Sequence, residues 1–479
     1  MKPDYRERIN ETKDLIGKYF FKDNNHFPVG GQDIEHSNLA LAIGAYVSNS
    51  NLLLMGEHGS AKTTLTKTLG AILSGLPFDL YEAAQIQGHP DQTFETMFAR
   101  PDFGKMNIGE EAVIFLLPNY LPLMNLDEIN RLPEGKQDDV LDIFETGRVT
   151  YLGQTLYSGK KPLIATANHS DGGNHDLLPP LRDRFIWSLE LGYWDSIERR
   201  EVTEILPNIE ELKCPEITGK AIRIVNNKHI SDDDKFAAIN ALKKEYATHL
   251  NGYDIPNLAL TKEDVAQIQK EIKSIPFTDA AMVFSLAIDS ELNRRPNHGP
   301  VKRSDNPNTL SECNQAKKLI SYNVLSSFSF RGAGKALTFG AQYLAYLAGH
   351  DKVTKDHIAT ISPYALSHRL DFTDDFKSKF PSANRYSEKF PNASSYDFFL
   401  STRLIKEVEE KFPDLEQKMI DHFVYQRETK LPLSKRQLSP EKMSEIEEMV
   451  KDNAIIPEHP LIWEFRRRIR RQMQKEGKL

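Results

Sequence analysis

The sequence predicts an α/β fold, with a parallel β-sheet in the first part of the chain and helical segments after it. Apolar runs of strand length are the main evidence, and they occupy residues 52–55, 121–126, 163–167 and 185–191. Helical or loop segments separate these runs, and continuous apolar strands that alternate with helices are typical of a parallel sheet covered on both faces. A helix is predicted over residues 36–47, with Leu39, Ala40 and Ile43 on its packing face. We expect this domain to end near residue 200.

Composition and pattern divide the chain into four parts, which are residues 1–206, 207–259, 260–370 and 371–479. The second part is polar and weakly patterned, which indicates an insertion or linker, and its SDDDK run at 231–235 is typical of a solvated turn. The third part has a helical pattern, and Thr261 is placed to cap its first helix. A loop insertion is predicted near 296–328, where Pro, Asn and Ser are frequent. The fourth part is a charged, mostly helical C-terminal extension of unknown role.

Composition limits the classes of protein to which this chain can belong. The chain has 479 residues, of which 27% are charged, and its net charge of -7 gives no whole-molecule case for binding nucleic acid or anionic lipid. Cys214 and Cys313 are too few for a disulfide framework, which favours a reducing compartment. The first residues lack the apolar core of a signal peptide, and no apolar run approaches the roughly 20 residues that a membrane helix needs. We therefore expect a cytoplasmic protein.

The run GEHGSAKT at 56–63 fits the pattern of a loop that binds phosphate groups. It follows the predicted strand at 52–55 and precedes apolar residues at helical spacing, which is the strand–loop–helix context that such a loop requires. Its backbone N–H groups and the N-terminus of the helix would form an anion site. The candidate nucleotide-binding residues are Gly56, Glu57, His58, Gly59, Ser60, Ala61, Lys62, Thr63 and Thr64.

Two side chains of this loop have specific roles in the prediction. Lys62 would reach the β- and γ-phosphates as a mobile point charge, and Thr63 would offer its hydroxyl to Mg²⁺. Ala61 stands where glycine usually precedes the lysine, but the backbone groups can still form the anion site. The alternative is an ordinary glycine-containing turn with a surface lysine.

An acidic pair, Asp127 and Glu128, follows directly after the apolar strand predicted at 121–126. Ligands bind at the carboxyl ends of the strands in parallel sheets, so this pair is expected beside the phosphate loop. Asp127 would hold Mg²⁺ through water, and Glu128 would polarise the attacking water. The alternative is an ordinary acidic turn after a strand, which the phosphate loop upstream makes the weaker interpretation.

The motifs of this sequence also resemble those of a known family. The run LDEINR at 126–131 looks like the Walker B signature of MoxR-type AAA+ ATPases, which belong to the helix-2-insert clade. Further segments resemble elements of that family in the same order along the chain: VGGQ at 29–32, GRVTYLGQTLY at 147–157, ATAN at 165–168, LPPLRDRF at 178–185, FRGAGKAL at 330–337 and LAGHDKVTKDHIATISPYALSHRL at 347–370.

The resemblance implies a P-loop NTPase AAA+ core, an α-helical lid and assembly into rings, commonly hexamers, with ATP and Mg²⁺ as cofactors. It implies that Asn168, in the sensor 1 strand, positions the attacking water, that the segment 29–32 lies beside the adenine, and that 147–157 is a hairpin ahead of sensor 1. The lid segment departs from the family, because Phe330 and Gly332 flank its arginine where the family has Pro and Ala.

Arginines complete such a site by contacting the γ-phosphate. The resemblance implies that Arg184 is the finger that acts on a neighbouring subunit, with Arg182 as the nearby alternative and a structural salt bridge as the simpler interpretation. Arg331 would contact the nucleotide of its own subunit from the lid, unless it is only a solvated helix residue. Arg131 would face the subunit interface or form a surface salt bridge.

The remaining polar signals are weaker. His89, His169 and His175 show no metal-ligand spacing, although His169 directly follows sensor 1 and so could contact the nucleotide or a neighbour. The end of the chain, 463–475, is a basic helical segment. Its charged face could be solvated, or it could dock on a neighbouring subunit or partner, with nucleic acid as a third alternative. We expect docking on protein.

By resemblance, the function is that of a chaperone-like ATPase, which couples ATP hydrolysis to remodelling, maturation or activation of a protein client. Such ATPases often work with a partner that bears a von Willebrand factor A domain. Two other functional classes remain open. One is the NTPase motor of a nucleic-acid-processing or restriction-type complex, whose turnover DNA or RNA would stimulate. The other is a nucleotide-gated assembly scaffold, whose turnover would be negligible.

Overall fold

The computed structural model describes residues 4–20, 26–57, 59–107, 112–169, 175–192, 196–293, 320–325, 332–382, 395–429, 437–451 and 459–479. The chain divides into two compact units, one drawn from Met1–Phe27 and Asp33–Ile272 and the other from Pro28–Gln32 and Lys273–Leu479. Most of the loop insertion predicted near 296–328 lies outside the described residues.

The chain up to residue 205 alternates strands and helices. Its strands are β1 (His26–Val29), β2 (Gln32–Glu35), β3 (Asn51–Gly56), β4 (Ile86–Gln87), β5 (Ala99–Pro101), β6 (Val113–Phe115), β7 (Met124–Asp127), β8 (Arg148–Tyr151), β9 (Gln154–Tyr157), β10 (Leu163–Ala167) and β11 (Phe185–Leu191). Its helices are α1 (Tyr5–Tyr19), α2 (Ser37–Val47), α3 (Lys62–Ser74), α4 (Phe78–Ala83), α5 (Phe94–Met97), α6 (Phe103–Met106), α7 (Glu134–Thr146), α8 (Pro179–Arg182) and α9 (Ser196–Ile205). The helix and the four apolar strands predicted from the sequence are all present.

The central feature of the first unit is a parallel sheet. Within the described residues it has five strands in the order β11-β3-β10-β7-β4, and every pairing in it is parallel. The carboxyl ends of parallel strands meet at one edge, so this order brings the residues after β3, β7 and β10 together. The sheet therefore assembles the phosphate loop, the acidic pair and Asn168 from three separate stretches of sequence.

The predicted hairpin at 147–157 is also confirmed. Strands β8 and β9 pair antiparallel, with Arg148 opposite Tyr157. The two turn residues, Leu152 and Gly153, have φ angles of 43° and 73°, and positive φ at both positions is the geometry of the tight turns that join twisted strands.

The segment after residue 205 is more helical than its sequence pattern predicted. It forms α10 (Pro215–Asn226) and α11 (Asp232–Asn251). The SDDDK run, predicted as a solvated turn, instead begins α11, because Ser231 caps the helix by accepting the Asp234 N–H at 3.1 Å. Three aspartates lie in the first turn, where their negative charges interact favourably with the positive end of the helix dipole. The next helix, α12 (Lys262–Ser274), is capped by Thr261, as predicted. The Oγ1 atom of Thr261 accepts the Asp264 N–H at 3.1 Å.

From Lys273 onward, the described residues of the second unit are mostly helical. Its helices are α13 (Asp279–Asn293), a π-helical segment (Gly332–Leu337), α14 (Thr338–Ala348), α15 (Lys355–Leu366), α16 (Asp374–Lys379), α17 (Tyr396–Glu428), α18 (Pro440–Lys451) and α19 (Pro460–Lys475). Among the described helices, none combines the length and the apolar composition that a membrane crossing needs.

The C-terminal helix α19 shows where the apolar residues of the basic tail lie. Its apolar residues lie four positions apart, and they are buried within the second unit instead of remaining available to a partner: Leu461, Phe465, Ile469 and Met473. Two polar contacts join α19 to α13, one between His459 Nε2 and Glu291 Oε1 at 2.9 Å and one from Ser290 Oγ to Glu464 at 3.0 Å. The exposed basic side chains of α19 include Arg467, Arg468 and Arg471, and docking of the tail on protein stays a prediction.

Replacing Ile469 with alanine should lower the free energy of unfolding of the second unit by about 2–5 kcal/mol. Ile469 is fully buried in a cluster with Tyr425, Ile446, Val450 and Met473, so the substitution leaves a cavity among well-packed side chains. Urea unfolding of the full chain measures the effect, with the exposed neighbour Arg468→Ala as the matched control. A loss no larger than that of the control would show that α19 does not pack as described.

Candidate functional site

The phosphate loop connects the end of β3 to the start of α3 and encloses the side chain of Lys62. The Lys62 ammonium donates to the carbonyl oxygens of Gly56 at 2.9 Å and Glu57 at 2.8 Å, and to Ser60 Oγ at 3.3 Å. Burial lowers the pKa of Lys62 from its ordinary value, while the nearby carboxylates of Asp127 and then Glu190 oppose that shift. The ammonium is therefore held inside the loop, in an acidic surrounding, where it can exchange these carbonyl contacts for phosphate oxygens.

The backbone of the loop explains why glycine is usual at the position of Ala61. Ala61 has φ 54° and ψ 24°, in the left-handed region, which costs a residue with a Cβ roughly 1–2 kcal/mol relative to glycine. Gly59 also has a positive φ, of 81°. Gly56 is required for another reason, since a Cβ there would lie 2.5 Å from the backbone oxygen of Leu191. The departure at Ala61 thus keeps the loop conformation at a modest energetic cost.

Asp127 lies at the end of β7, directly opposite the phosphate loop. Thr63 Oγ1 is 3.0 Å from Oδ1 and 2.9 Å from Oδ2 of Asp127. Gln85 Nε2 donates to Oδ2 at 2.9 Å, and the hydroxyl of Thr166 donates to Oδ1. A hydroxyl and a carboxylate in contact are the oxygen donors that Mg²⁺ prefers. The predicted pair Thr63 and Asp127 is therefore brought together in a form that fits this ion.

Glu128 carries a carboxylate that three side chains hold in place. Asn168 Nδ2 donates to Oε1 at 3.1 Å, Gln87 Nε2 donates to Oε2 at 2.9 Å, and Arg131 Nε forms an ion pair with Oε2 at 3.2 Å. Glu128 itself has a φ of 53°, so its backbone turns sharply after Asp127. The contact between Asn168 and Glu128 brings together two residues that the sequence analysis assigned to one water molecule.

Two glutamines of this site were missed by the sequence analysis. Gln85 and Gln87 flank the buried Ile86 in β4, which pairs with β7 next to the acidic residues. The following Gly88 is required there, because a Cβ would lie 2.1 Å from the Glu128 backbone oxygen. The alternation of polar and apolar residues before this glycine was the available signal, but a strand of two residues is too short for a periodicity argument.

The predicted arginines lie in different surroundings. Arg184 forms an ion pair with Glu145 at 2.8 Å and approaches Asp183 at 3.7 Å. Arg182 ends helix α8. Arg131 contacts Glu128, which gives it a place in the site itself. Arg331 of the lid and His58 of the phosphate loop lie outside the described residues, whereas Thr64 lies in the first turn of α3.

One histidine of the three considered belongs to the site. His169 Nε2 lies 3.0 Å from Glu190 Oε2, whereas His89 pairs with Asp91 on the surface at 3.6 Å. The backbone N–H of His175 donates to Asn130 O at 2.7 Å. Among the described residues, no cluster of three or more His, Cys, Asp or Glu side chains could hold a metal ion by itself.

Comparisons with known proteins agree with this geometry. Residues 51–185 match the AAA domain of the dynein-related subfamily, and residues 327–388 match an AAA lid domain. A solved structure of a candidate ATPase from Cytophaga hutchinsonii has a similar fold, with a TM-score of 0.52 and 19% sequence identity, and the match covers 80% of this chain and 92% of that chain. No curated protein matches the sequence. The two domain matches, on a parallel sheet that carries a phosphate loop and an acidic pair, identify residues 51–185 as an AAA domain and residues 327–388 as an AAA lid domain.

Proposed function

We propose that this chain hydrolyses ATP to ADP and phosphate in a Mg²⁺-dependent reaction. The observation that carries the proposal is the convergence of Lys62, Thr63, Asp127, Glu128 and Asn168 at one edge of the sheet. Thr63 and Asp127 would hold Mg²⁺, which supplies charge compensation for the phosphate oxygens when it is bound.

In this proposal, each side chain of the site has a separate role in hydrolysis. Lys62 compensates negative charge on the transferred phosphoryl group, and Glu128 accepts a proton from the attacking water. Asn168 orients that water, and its contact with the Glu128 carboxylate keeps the two groups aligned. Gln87 and Arg131 restrain the other oxygen of the same carboxylate. Hydrolysis thus depends on positioning and electrostatics more than on covalent chemistry.

The biological role that we propose is the remodelling, maturation or activation of a protein client, as in MoxR-type ATPases. The AAA domain and the AAA lid domain support it, since a lid that closes on nucleotide can convert hydrolysis into movement. We further propose a homo-oligomeric ring, with six subunits as the expected number, and a von Willebrand factor A-domain protein as the partner class. The placement of the segment 29–32 beside the adenine and of Arg331 at the γ-phosphate belongs to the same proposal.

Arg184→Ala should retain ATP binding and lower the hydrolysis rate by about 10³-fold or more if Arg184 acts on the neighbouring subunit. Its ion pair with Glu145 supplies the matched control, because Glu145→Gln breaks the pair and keeps the arginine. Mixing Arg184→Ala with Glu128→Gln subunits should restore part of the activity. Equal losses in Arg184→Ala and Glu145→Gln, with every mixture inactive, would assign Arg184 to a structural salt bridge.

A capture experiment tests the proposed role in client remodelling. Tagged Glu128→Gln protein with ATP should retain a defined protein client, which ADP releases and which Lys62→Ala does not retain. The purified client should then stimulate phosphate release by the wild-type protein. Stimulation by DNA or RNA instead would favour the nucleic-acid motor, and nucleotide-dependent assembly without turnover would favour the scaffold.

A further inference from the structure

His169 and Glu190 form an ion pair across the root of the phosphate loop. His169 comes two residues after the end of β10, and Glu190 lies in β11. Both strands flank β3, and the register places Ala167 on one side of Met55 and Glu190 on the other. The two side chains meet at 3.0 Å, close to the point where β3 turns into the phosphate loop.

The burial of Glu190 requires a compensating cation. Its side chain is 5% exposed, whereas that of His169 is 30% exposed, and a carboxylate in such a position is costly unless it is paired. Glu190 raises the pKa of His169, against the opposing effect of burial. The other charged groups that act on this imidazole are Glu57, which also raises its pKa, and Lys62, which lowers it.

The same carboxylate also acts on the phosphate-binding lysine. After Asp127, Glu190 is the largest electrostatic influence that favours the charged form of Lys62. An uncompensated Glu190 would compete with phosphate oxygens for the Lys62 ammonium, and it would repel a polyphosphate directly. A carboxylate in this position is compatible with anion binding only when its charge is neutralised from another side.

We propose that protonated His169 neutralises Glu190 and thereby sets the affinity of the loop for polyphosphate. His169 is then a positioning residue, which acts on the nucleotide through Glu190 and the loop. This inference rests on the proposed function, because it concerns how the same site binds ATP.

The test is a double-mutant cycle read out as nucleotide affinity at pH 6.5, with a fluorescent ATP analogue and Mg²⁺. His169→Gln keeps a side-chain N–H for Glu190 but removes the charge, and it should weaken binding about 10-fold or more. Glu190→Gln should bind at least as well as the wild type. The double variant His169→Gln/Glu190→Gln should recover most of the lost affinity, since no carboxylate is left to neutralise. The exposed His229→Gln is the matched control, expected to bind like the wild type.

The pH profile gives a second readout with a defined sign. As pH rises above the ordinary histidine value of about 6.5 and through the raised pKa of His169, the imidazole loses its proton and wild-type affinity should fall. The double variant should lack this fall, whereas any contribution from Lys62 would persist in both proteins. The inference is overturned if the double variant stays as weak as His169→Gln, or if it shares the wild-type pH profile. Failure of the wild type to bind the analogue at any pH would instead refute the proposed function.

Discussion

Lys62→Ala is expected to abolish nucleotide binding, with an affinity loss of at least about 100-fold. The Lys62 ammonium is the side-chain cation at the centre of the phosphate loop, where it now contacts the carbonyl oxygens of Gly56 and Glu57. Without it, the loop carbonyls would face the phosphate groups with no lysine charge between them, and charge-assisted contacts to phosphate are among the strongest available. Equilibrium titration with a fluorescent ATP analogue measures the loss.

A matched control separates the role of this lysine from the general loss of a positive charge on α3. Lys67 lies on the same helix and pairs with Glu82 at 3.2 Å, outside the loop. Lys67→Ala removes an equal charge and should bind the analogue within about threefold of the wild type. Equal weakening by both substitutions would show that the long-range field of the helix, and not contact at the loop, determines affinity.

Glu128→Gln is expected to bind ATP with nearly unchanged affinity and to hydrolyse it about 10²–10⁴-fold more slowly. The amide keeps the size of the side chain and one oxygen that can accept from Asn168, but it is no longer a base for the attacking water. Loss of the ion pair with Arg131 should affect the position of the side chain more than the binding of nucleotide. Single-turnover phosphate release measures the rate of the chemical step.

The control for this variant is another acid near the site in sequence. Glu134 is exposed at the start of α7, so Glu134→Gln removes the same charge without a role in hydrolysis and should turn over at the wild-type rate. If Glu128→Gln hydrolyses ATP as fast as this control, Glu128 is not the base, and the arrangement of Asn168, Gln87 and Arg131 around it requires another explanation.

The sequence predicted the parts of the site that lie in continuous segments. The phosphate loop could be recognised because strand, glycine-rich loop and helix adjoin one another in sequence, and the acidic pair because it ends an apolar strand. The meeting of Asn168 with Glu128 was anticipated through the family resemblance. Each of these residues can be recognised from its neighbours in sequence. The strand order then brings the ends of β3, β7 and β10 together.

Gln85, Gln87 and the partner of His169 could not be predicted in the same way. Each depends on which strands are neighbours: β4 lies beside β7, and β10 and β11 flank β3. A polar residue in a two-residue strand, or a glutamate within an apolar strand, has no distinguishing pattern until that order is known. The site therefore contains more residues than its sequence motifs, because the supporting contacts join residues that are far apart in sequence.

The C-terminal helix shows a different reason for an incomplete prediction. Leu461, Phe465, Ile469 and Met473 recur every four residues, but the arginines between them make the segment look basic throughout in the sequence. The stripe packs within the second unit, so a packing role accounts for the apolar half of a segment whose basic charges had suggested docking. The free side of α19 carries the exposed Arg467, Arg468 and Arg471.

The most direct test of the central claim is steady-state phosphate release from ATP by the purified wild type, Lys62→Ala and Glu128→Gln proteins, each with Mg²⁺ and with excess EDTA. We predict turnover by the wild type that requires Mg²⁺, no turnover by Lys62→Ala, and turnover by Glu128→Gln that is about 10²–10⁴-fold slower. Equal phosphate release by all three proteins, or release that EDTA leaves unchanged, would contradict the assignment of this site as a Mg²⁺-dependent ATPase centre.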